Sequence, residues 1–409
     1  LRPQGLRTAR IRGAERSRSP HPRAGLMRIL YLSPDPGVPV LGAKGASVHL
    51  RALVSAFNKL GEEVVVASPR VEPAENFLPA AVSLVDIPPV LPKTAATAAD
   101  LRNQAERQAL AVADIARRQR IDTIYERHSL ASFAGARTAA ALGVPLLLEV
   151  NAPLRAEAAR FRQLLHEEVA LAAEEESFAA ATRIFVISRA LKGWLEGSGV
   201  AGRRVDVVPN AFPERDFAVK QPLGDDDEVV VGFAGGLKLW HGIGVLLAGF
   251  EQALARGARM RLEVAGTGPA EHLLSASTLP PERLCRLGHL PHEETLDRLE
   301  EWDVGVAPFT ALEDFYFSPL KLFEYMAAGV CPVASDVGEL AEILDRGEAG
   351  VLVAPDSATA LADALLALDC DRARLRALGG RAREKAKRGP TWADNANRVI
   401  AALADREAV

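Results

Sequence analysis

The sequence predicts an α/β protein with two doubly wound parallel sheets that face each other across a cleft. Short apolar runs alternate with longer stretches of helical spacing along the chain. The runs lack the period-two alternation of half-exposed strands, so they are typical of strands buried on both faces. Helices between such strands indicate parallel sheets with a helical layer on each side.

The first half, residues 27–212, is predicted to be one such domain. Between its first two apolar runs the residues at 50, 53, 54, 57 and 60 follow helical spacing, and Gly61 suits a helix C-terminus. The first unit is therefore β-α-β. The predicted strands are Ile29–Leu32, Val64–Ala67, Ile121–Tyr125, Pro145–Val150, Ile184–Ile187 and Val205–Val208.

The pattern breaks in residues 213–228, which contain Pro213, Pro222, Gly224 and a run of four acidic residues. We interpret this stretch as a linker. The second domain is predicted over residues 229–388, and residues 389–409 hold a last helix that either completes this domain or folds back on the first. The strands predicted here are Val229–Phe233, Arg261–Ala265, Val304–Ala307, Val330–Ala334 and Gly350–Val353.

The charge is unevenly distributed along the 409 residues. Residues 1–26 contain seven arginines and one acid, so the net −4 of the chain leaves −10 on the rest. We expect Met27 to be the native start and residues 1–26 to be a basic extension without a fold of its own. The acidic body argues against nucleic acid as a partner.

Three unclustered cysteines indicate neither a disulfide framework nor a cysteine zinc site. A reducing, cytoplasmic location is the simplest expectation. No apolar run reaches the 18 or more residues that span a bilayer.

The strongest local motif is the stretch 317–329, from Phe317 to Gly329. Ser318 is expected to cap a short helix, with Pro319 at its first position. The helix start offers free N–H groups to an anion, and Lys321 and Glu324 share one face. A phosphate at Lys321 and ribose hydroxyls at Glu324 would explain the pattern; the alternative is an exposed Lys-Glu pair on an ordinary amphipathic helix.

Glycine loops follow two predicted strands of the second half. Gly235 and Gly236 allow close approach of backbone to a ligand, and Lys238 and His241 place cationic or donor groups nearby. Gly266 and Gly268 follow the next strand, but the full G-x-G-x-x-G spacing is missing there and after the first strand. A nicotinamide or flavin enzyme is therefore disfavoured, although each loop alone is compatible with a simple turn.

In the first half, Gly45 and Ala46 lie where a loop and helix start would face a diphosphate, and His49 follows them. Glu149 and Asn151 end a strand on one side of it, so they are candidates for the cleft edge. A lone His at a helix start is more often structural than catalytic, so a structural role for His49 is the alternative.

The run Asp225–Asp227 is interpreted as a solvated charge run rather than a metal site, because no His or Cys accompanies it. No metal site is predicted.

Taken together, these residues make the chain resemble the retaining glycosyltransferases of family 4, which have the GT-B fold of two Rossmann-like domains. The resemblance runs from Met27 to about Ala404 and includes Val208–Ala211, Leu262–Pro269 and Ser335–Ile343. Only the combination and order of these motifs are specific. The resemblance implies that the second domain binds a nucleotide-diphosphate sugar, the first binds the acceptor, and the last helix crosses back to the first.

The chain departs from the family pattern at three points when the motifs are compared residue by residue. Glu324 matches the second glutamate of the E-x7-E motif, the ribose ligand, but Tyr316 falls on the first, which usually touches the donor sugar. The usual diphosphate Arg and Lys fall on Gly236 and His241. The histidine near the reacting carbon falls on Asn151.

The resemblance implies a subgroup in which Lys238 and Lys321 compensate for the missing cations. These lysines, Asn151 and Glu324 are then the catalytic candidates. The remaining donor-binding candidates are Gly45, Ala46, Gly235, Gly236, His241, Gly266, Gly268, Leu287, Tyr316, Phe317, Ser318, Pro319 and Leu320. His49 and Glu149 are assigned to the acceptor side.

The implied reaction moves a sugar from a UDP-, GDP- or ADP-linked donor to an acceptor with retention, without a metal or cofactor. The acceptor is a small molecule, a glycan or a lipid-linked molecule. Residues 155–181 mix arginines with glutamates, so at most peripheral membrane contact is expected. The alternatives are a two-lobed binding protein for sugar or nucleotide, and a GT-B nucleotide-sugar epimerase. The oligomeric state is left open.

Overall fold

The computed structural model describes residues 26–42, 44–71, 78–161, 163–224, 226–312 and 314–404. The basic extension, apart from residue 26, lies outside the described residues. So do one residue of the first glycine loop, Ala43, and one of the acidic run, Asp225. The expectations for the extension remain predictions.

Seven parallel strands form the first sheet, in the order β3-β2-β1-β4-β5-β6-β7. They are β1 (Arg28–Leu32), β2 (Glu63–Ser68), β3 (Ser83–Asp86), β4 (Thr123–Arg127), β5 (Leu146–Val150), β6 (Arg183–Val186) and β7 (Val205–Val207). The helices among them are α1 (Gly45–Lys59), α2 (Ala98–Arg118), α3 (Ala134–Leu142), α4 (Leu154–Phe161), α5 (Glu167–Ala180) and α6 (Arg189–Gly197). We call these elements the first lobe.

Six parallel strands form the second sheet, in the order β10-β9-β8-β11-β12-β13. They are β8 (Val229–Ala234), β9 (Met260–Ala265), β10 (Leu284–Gly288), β11 (Val304–Ala307), β12 (Cys331–Ser335) and β13 (Val351–Val353). The helices among and after them are α7 (Ile243–Ala255), α8 (Glu271–Ser275), α9 (His292–Leu299), α10 (Leu320–Ala328), α11 (Leu340–Ile343), α12 (Ala358–Cys370) and α13 (Arg372–Arg388). These elements are the second lobe, and α14 (Trp392–Ala404) follows them. The predicted fold class is confirmed.

Both faces of each sheet are buried, as the continuous apolar runs predict. In β1, Leu30 and Leu32 enter one apolar cluster and Ile29 and Tyr31 enter another on the opposite face. Successive side chains of a strand point to opposite faces, so each strand contributes to two cores.

The last helix packs on the first lobe. Trp392, Ala396 and Val399 of α14 join the cluster that contains Ile29 and Tyr31, and α14 contacts α1 directly. A backbone bridge pairs Phe212 with Thr391. The chain therefore passes between the lobes twice, at two neighbouring points.

Two strands carry no apolar run and were not predicted. β3 and β10 are edge strands, and most of their residues are exposed or half-buried, so they need no apolar run. The prediction for β4 was wrong at its start: the N–H of Ile121 bonds to the carbonyl of Ala116, so Ile121 belongs to the turn that closes α2.

The order of strands reverses next to β1 in the first sheet and next to β8 in the second. Ligands of open parallel sheets bind beyond the carboxyl ends of the strands at such a reversal. The loops at these positions are residues 33–44 after β1, 235–242 after β8 and 308–319 after β11. They contain or adjoin most of the predicted site residues.

Candidate active site

Two glycine loops close against each other at the carboxyl ends of β8 and β9. The N–H of Gly235 donates to the carbonyl of Ala265, and Leu237 donates to Thr267, each at 2.9 Å. A Cβ at Gly266 would lie 2.0 Å from the carbonyl oxygen of Gly235, and Gly266 has φ +148°. Only glycine fits this approach. Gly235 and Gly236 remain exposed at the cleft.

Lys321 of α10 lies beneath this pair of loops. Its Nζ atom is 3.8 Å from the ring centroid of Phe233 and has no hydrogen-bond partner among the described residues. A Cβ at Gly235 would lie 3.1 Å from the same atom. Burial lowers the pKa of Lys321 to about 7, a shift that the nearby Glu324 opposes. An unpaired buried ammonium group is costly, and a bound anion would supply the missing partner.

Helix α10 begins one residue later than predicted. Pro319 occupies the N-cap position, and no side chain caps the helix within the described part of the chain. The prediction that Ser318 caps it was wrong, because the Ser318 hydroxyl accepts the backbone N–H of Asn210 at 3.1 Å. The first N–H groups of α10 are therefore left without a capping side chain.

The start of α1 meets the start of α10. A Cβ at Gly45 would lie 3.5 Å from the Leu320 side chain. Gly45 is exposed and Ala46 half-buried. As in α10, the structure shows no side-chain cap for α1 among the residues that it describes. Two positive helix ends thus converge beside the glycine loops.

His241 does not supply the cation that the sequence suggested. Its Nδ1 atom lies 2.5 Å from the carbonyl oxygen of Gly236, which can only accept, so this nitrogen carries the proton. Burial, and then the charge of Lys321, lower the pKa of His241 to about 3. The ring is neutral near pH 7, and its role here is to hold the Gly236 carbonyl. Lys238, by contrast, is exposed at the rim of the cleft, with its Nζ atom 5.9 Å from the Trp240 ring.

Glu324 faces a different part of the cleft from Lys321. Its Oε1 atom lies 2.7 Å from Nε2 of His292, the first residue of α9. Both side chains line a cavity of about 310 Å³ between α1 and the helices α9 and α10. Leu287 of β10 packs on the apolar cluster beneath this region.

Glu149 and His49 lie together in a buried network of the first lobe. The carboxylate of Glu149 is 3.1 Å from Nε2 of His49, and it accepts hydrogen bonds from Tyr125, Arg127 and Asn151. Glu149 is only 2% exposed and His49 only 7%. The cavity beside them holds about 10 Å³, room for about one water molecule.

The acceptor-side assignment of these two residues stays a prediction, and both side chains are buried in this structure. Opposite charge and hydrogen-bond donors surround Glu149, and its pKa falls below the ordinary range despite its burial. Asn151 is half-buried beside them and donates its amide to the same carboxylate.

A chain of hydrogen bonds runs from this network to the second lobe. Nδ1 of His49 lies 2.7 Å from Oδ1 of Asn210, and the Asn210 side-chain amide donates to the carbonyl of Ser318. Asn210 is 5% exposed and Ser318 is 8% exposed. This buried chain ties the first lobe to the segment that precedes α10.

Tyr316 and Phe317 lie where the two lobes meet. The hydroxyl of Tyr316 donates to Oε2 of Glu157 in α4 at 3.0 Å, and its carbonyl accepts from Ser188 of the first lobe at 2.9 Å. The Phe317 ring lies parallel to the Trp240 ring, within 5°. Both predicted residues are thus at the interface of the lobes.

Sequence reasoning missed His292, Glu157 and the contacts of Asn210. His292 follows the edge strand β10, which has no apolar run that would mark its end. Glu157 is one of several charged residues in α4 and became notable only through its contact with Tyr316. Asn210 was recognisable only within the motif that resembles the family.

The described residues contain no disulfide, no group of metal-ligand side chains and no helix that could span a membrane. Cys285, Cys331 and Cys370 are free thiols. Across the described ranges, no three His, Cys, Asp or Glu side chains are grouped as metal ligands would be. Of the helices that the structure describes, none combines the length and apolar character that a membrane crossing requires.

Two doubly wound lobes with a shared cleft at the carboxyl ends of their strands form a GT-B fold, and solved structures show the same architecture. Sucrose-phosphate synthase from Thermosynechococcus elongatus superposes with a TM-score of 0.71 and 21% identity, covering 93% of this chain and 99% of that one. HepE from Anabaena in complex with UDP-glucose gives a TM-score of 0.70 at 18% identity, covering 93% and 100%.

Two family models match the chain in succession. The model described as Glycosyltransferase Family 4 matches residues 43–214, and the model described as Glycosyl transferases group 1 matches residues 228–371. The chain therefore belongs to the GT-B glycosyltransferases of the family 4 type.

Curated relatives match over parts of their length. An exopolysaccharide phosphotransferase from Streptomyces coelicolor is 32% identical over 211 residues, 50% of this chain and 21% of that protein. Phosphatidyl-myo-inositol mannosyltransferase from Mycobacterium tuberculosis is 34% identical over 131 residues, 31% of this chain and 34% of that protein. The matches thus span about a third or less of each of these relatives.

Proposed function

We propose that the protein transfers a hexosyl group from a nucleotide-diphosphate sugar to an acceptor hydroxyl, with retained anomeric configuration and without a metal. The observation that carries the proposal is Lys321, a buried cation without a hydrogen-bond partner in the described structure, beneath paired glycine loops. A diphosphate at Gly235 and Gly236 would pair with it. The complex of HepE with UDP-glucose supports this donor class, and the mannosyltransferase relative supports hexosyl transfer.

The donor would lie along the second lobe. The diphosphate would occupy the exposed backbone of Gly235 and Gly236, beside the open starts of α1 and α10. Glu324 would accept hydrogen bonds from the ribose hydroxyls at the edge of the 310 Å³ cavity, in place of its contact with His292. The base would lie near Leu287.

Sugar transfer requires the protein to stabilise negative charge on the departing diphosphate. When the bond between the anomeric carbon and the phosphate oxygen breaks, its electron pair stays on the diphosphate and the sugar ring gains oxocarbenium character. Lys321 and Lys238 are fixed cations for that charge, and helix N–H groups add to it. Loss of one such donor costs ~2.7–4 kcal/mol of transition-state stabilisation. Closure of the lobes would exclude water and limit hydrolysis of the donor.

The test combines donor identification with two site variants. A panel of nucleotide sugars with UDP, GDP and ADP as controls, read by thermal shift, identifies the donor, and mass spectrometry of products from extracts identifies the reaction. Lys321→Ala and Glu324→Ala are each expected to lower transfer by more than about 100-fold while the fold survives. Lys387→Met, in an exposed pair with Glu384, is the matched control.

Three outcomes would contradict the proposal. Near-normal transfer in both variants would refute the site. Tight binding of free sugar without any nucleotide binding would favour a binding protein. A donor sugar that changes configuration when no acceptor is present would indicate an epimerase.

A further inference from the structure

A groove beside the diphosphate loop opens between the lobes. It has a volume of about 70 Å³ and is lined by helix α4 on one side and by Leu312, Asp314, Tyr316 and Phe317 on the other. At roughly 10–15 Å³ for each water, the space corresponds to about five water molecules. A single sugar ring with its hydroxyl groups would displace that much water.

The floor of the groove is formed by two aromatic side chains, Trp240 and Phe317. The rings of Trp240 and Phe317 are stacked, with planes parallel within 5° and centroids 6.3 Å apart. Both side chains are half-buried and line the groove. Aromatic rings of this kind offer large, rigid apolar area. The C–H face of a pyranose ring is a flat apolar surface of matching shape.

The walls of the groove are charged. Glu157 and Arg160 come from α4 of the first lobe, and Asp314 comes from the second lobe. The Tyr316 hydroxyl holds the Glu157 carboxylate at 3.0 Å, which fixes its position beside the aromatic floor. Carboxylates accept and guanidinium groups donate hydrogen bonds, and sugar hydroxyls do both. A few placed polar groups on an aromatic lining are typical of small-molecule sites.

We propose that this groove binds a pyranose ring of the acceptor, with Trp240 and Phe317 as its platform. The inference rests on the proposed function. Trp240 lies between Lys238 and His241 of the diphosphate loop, and Phe317 directly precedes Ser318. The groove therefore adjoins the donor site but takes one wall from the first lobe. Phe317, grouped with the donor residues by the sequence, is reassigned to the acceptor.

The charges also argue against a hydrocarbon occupant. An isoprenoid chain in this groove would remove water from the charged side chains that line it, Glu157, Arg160 and Asp314, and desolvation of charged groups is costly. A sugar ring satisfies both the apolar floor and the charged walls.

The experiment measures ligand binding by the whole protein in the presence of UDP. The probes are methyl pyranosides of glucose, galactose, mannose and N-acetylglucosamine, and separately geranylgeranyl phosphate, followed by ligand-observed NMR. The variants are Trp240→Ala and Trp240→Phe. The matched control is Leu239→Ala, which changes a 67% exposed neighbour in the same turn that does not line the groove.

We expect the wild type to bind at least one methyl pyranoside. Trp240→Ala should weaken that binding at least tenfold, Trp240→Phe should keep it within about threefold, and Leu239→Ala should leave it unchanged. UDP binding should be the same in all four proteins.

Three results would overturn the groove assignment: no pyranoside bound by the wild type, equal binding by Trp240→Ala, or geranylgeranyl phosphate bound through Trp240 instead. If Trp240→Ala weakened binding of the nucleotide sugar but not binding of the pyranosides, the groove would hold the donor sugar. Absent UDP binding with Trp240-dependent pyranoside binding would refute the proposed function and leave the groove standing.

Discussion

Each lobe buries a charged side chain, but the two side chains differ in their hydrogen-bond partners. Glu149 in the first lobe accepts hydrogen bonds from Arg127, Tyr125 and Asn151, and Nε2 of His49 lies 3.1 Å from its carboxylate. Lys321 in the second lobe has aromatic faces and the glycine loop around its ammonium group, and no described residue accepts a hydrogen bond from it, although the charge of Glu324 is near.

The contrast separates structure from function. A buried charge with partners contributes to a fixed network, whereas a buried charge without them keeps a free-energy cost that a ligand can remove. Sequence analysis singled out both residues as site candidates. Only their surroundings distinguish the structural residue from the one poised to bind an anion.

The largest effect on stability is expected from the first lobe. Glu149→Gln leaves Arg127 and His49 facing a neutral group in a buried site, and should lower the free energy of unfolding by about 3 kcal/mol. Urea unfolding monitored by circular dichroism measures it. Glu63→Gln breaks an exposed pair with Arg28 on the same sheet and should cost less than about 1 kcal/mol. Equal losses in both variants would show that the network does not stabilise the lobe.

In the second lobe, a substitution of the buried charge is expected to raise the free energy of unfolding. Lys321→Met removes an unpartnered buried ammonium group and should raise the free energy of unfolding by about 2 kcal/mol at pH 7. Lys387→Met, on the exposed face of α13, should change it by less than about 0.5 kcal/mol.

The difference in the free energy of unfolding between Lys321→Met and the wild type should also depend on pH. The pKa of Lys321 is about 7 in the folded protein and 10.5 ordinarily, so the unfolded chain binds more protons between these values. Wild-type stability should therefore rise relative to Lys321→Met from pH 7 to 10.5. A loss of stability in Lys321→Met at pH 7 would mean that the lysine has partners after all.

Nucleotide binding should titrate with the same group. Because the pKa of free Lys321 is about 7 and a diphosphate stabilises its charged form, the affinity for UDP should fall by up to about tenfold for each pH unit above 7. Isothermal titration calorimetry from pH 6 to 9 measures this. In Lys321→Met the affinity should be lower and independent of pH over the range 7–9; an equal slope in both proteins would assign the proton to another group.

The smallest effect is expected at His241. Its pKa of about 3 keeps the ring neutral from pH 5 to 8, so His241→Gln should lower transfer by about fivefold, the value of one hydrogen bond to Gly236, and by the same factor throughout that range. Initial rates at pH 5.5 and pH 8 give the ratio. A factor that grows toward acidic pH would show that a protonated His241 takes part.

The sequence predicts those features that depend on near neighbours. The spacing of Leu50, Leu53 and Phe57 defines α1, and Lys321 and Glu324, three residues apart, lie on one short helix. Burial on both faces makes the central strands recognisable as apolar runs. These signals are local, so periodicity captures them.

The sequence could not predict features that depend on contacts between residues far apart in the chain. His49 and Glu149 are 100 positions apart in the sequence, and Asn210 is 108 positions from the Ser318 that it binds. The neutral state of His241 depends on burial by its own lobe and on Lys321. The parallel rings of Trp240 and Phe317 come from separate loops. No spacing rule brings such residues together.

The central claim is that Lys321 is a buried cation without a partner until a diphosphate binds. Its most direct test is the pKa of Lys321, measured by NMR of lysine labelled with ¹³C at Cε, with and without UDP, with Lys321→Met assigning the signal. The account predicts a pKa near 7 in the free protein and a rise of at least about one unit with UDP. A pKa near 10.5 in the free protein, or no change on addition of saturating UDP, would contradict it.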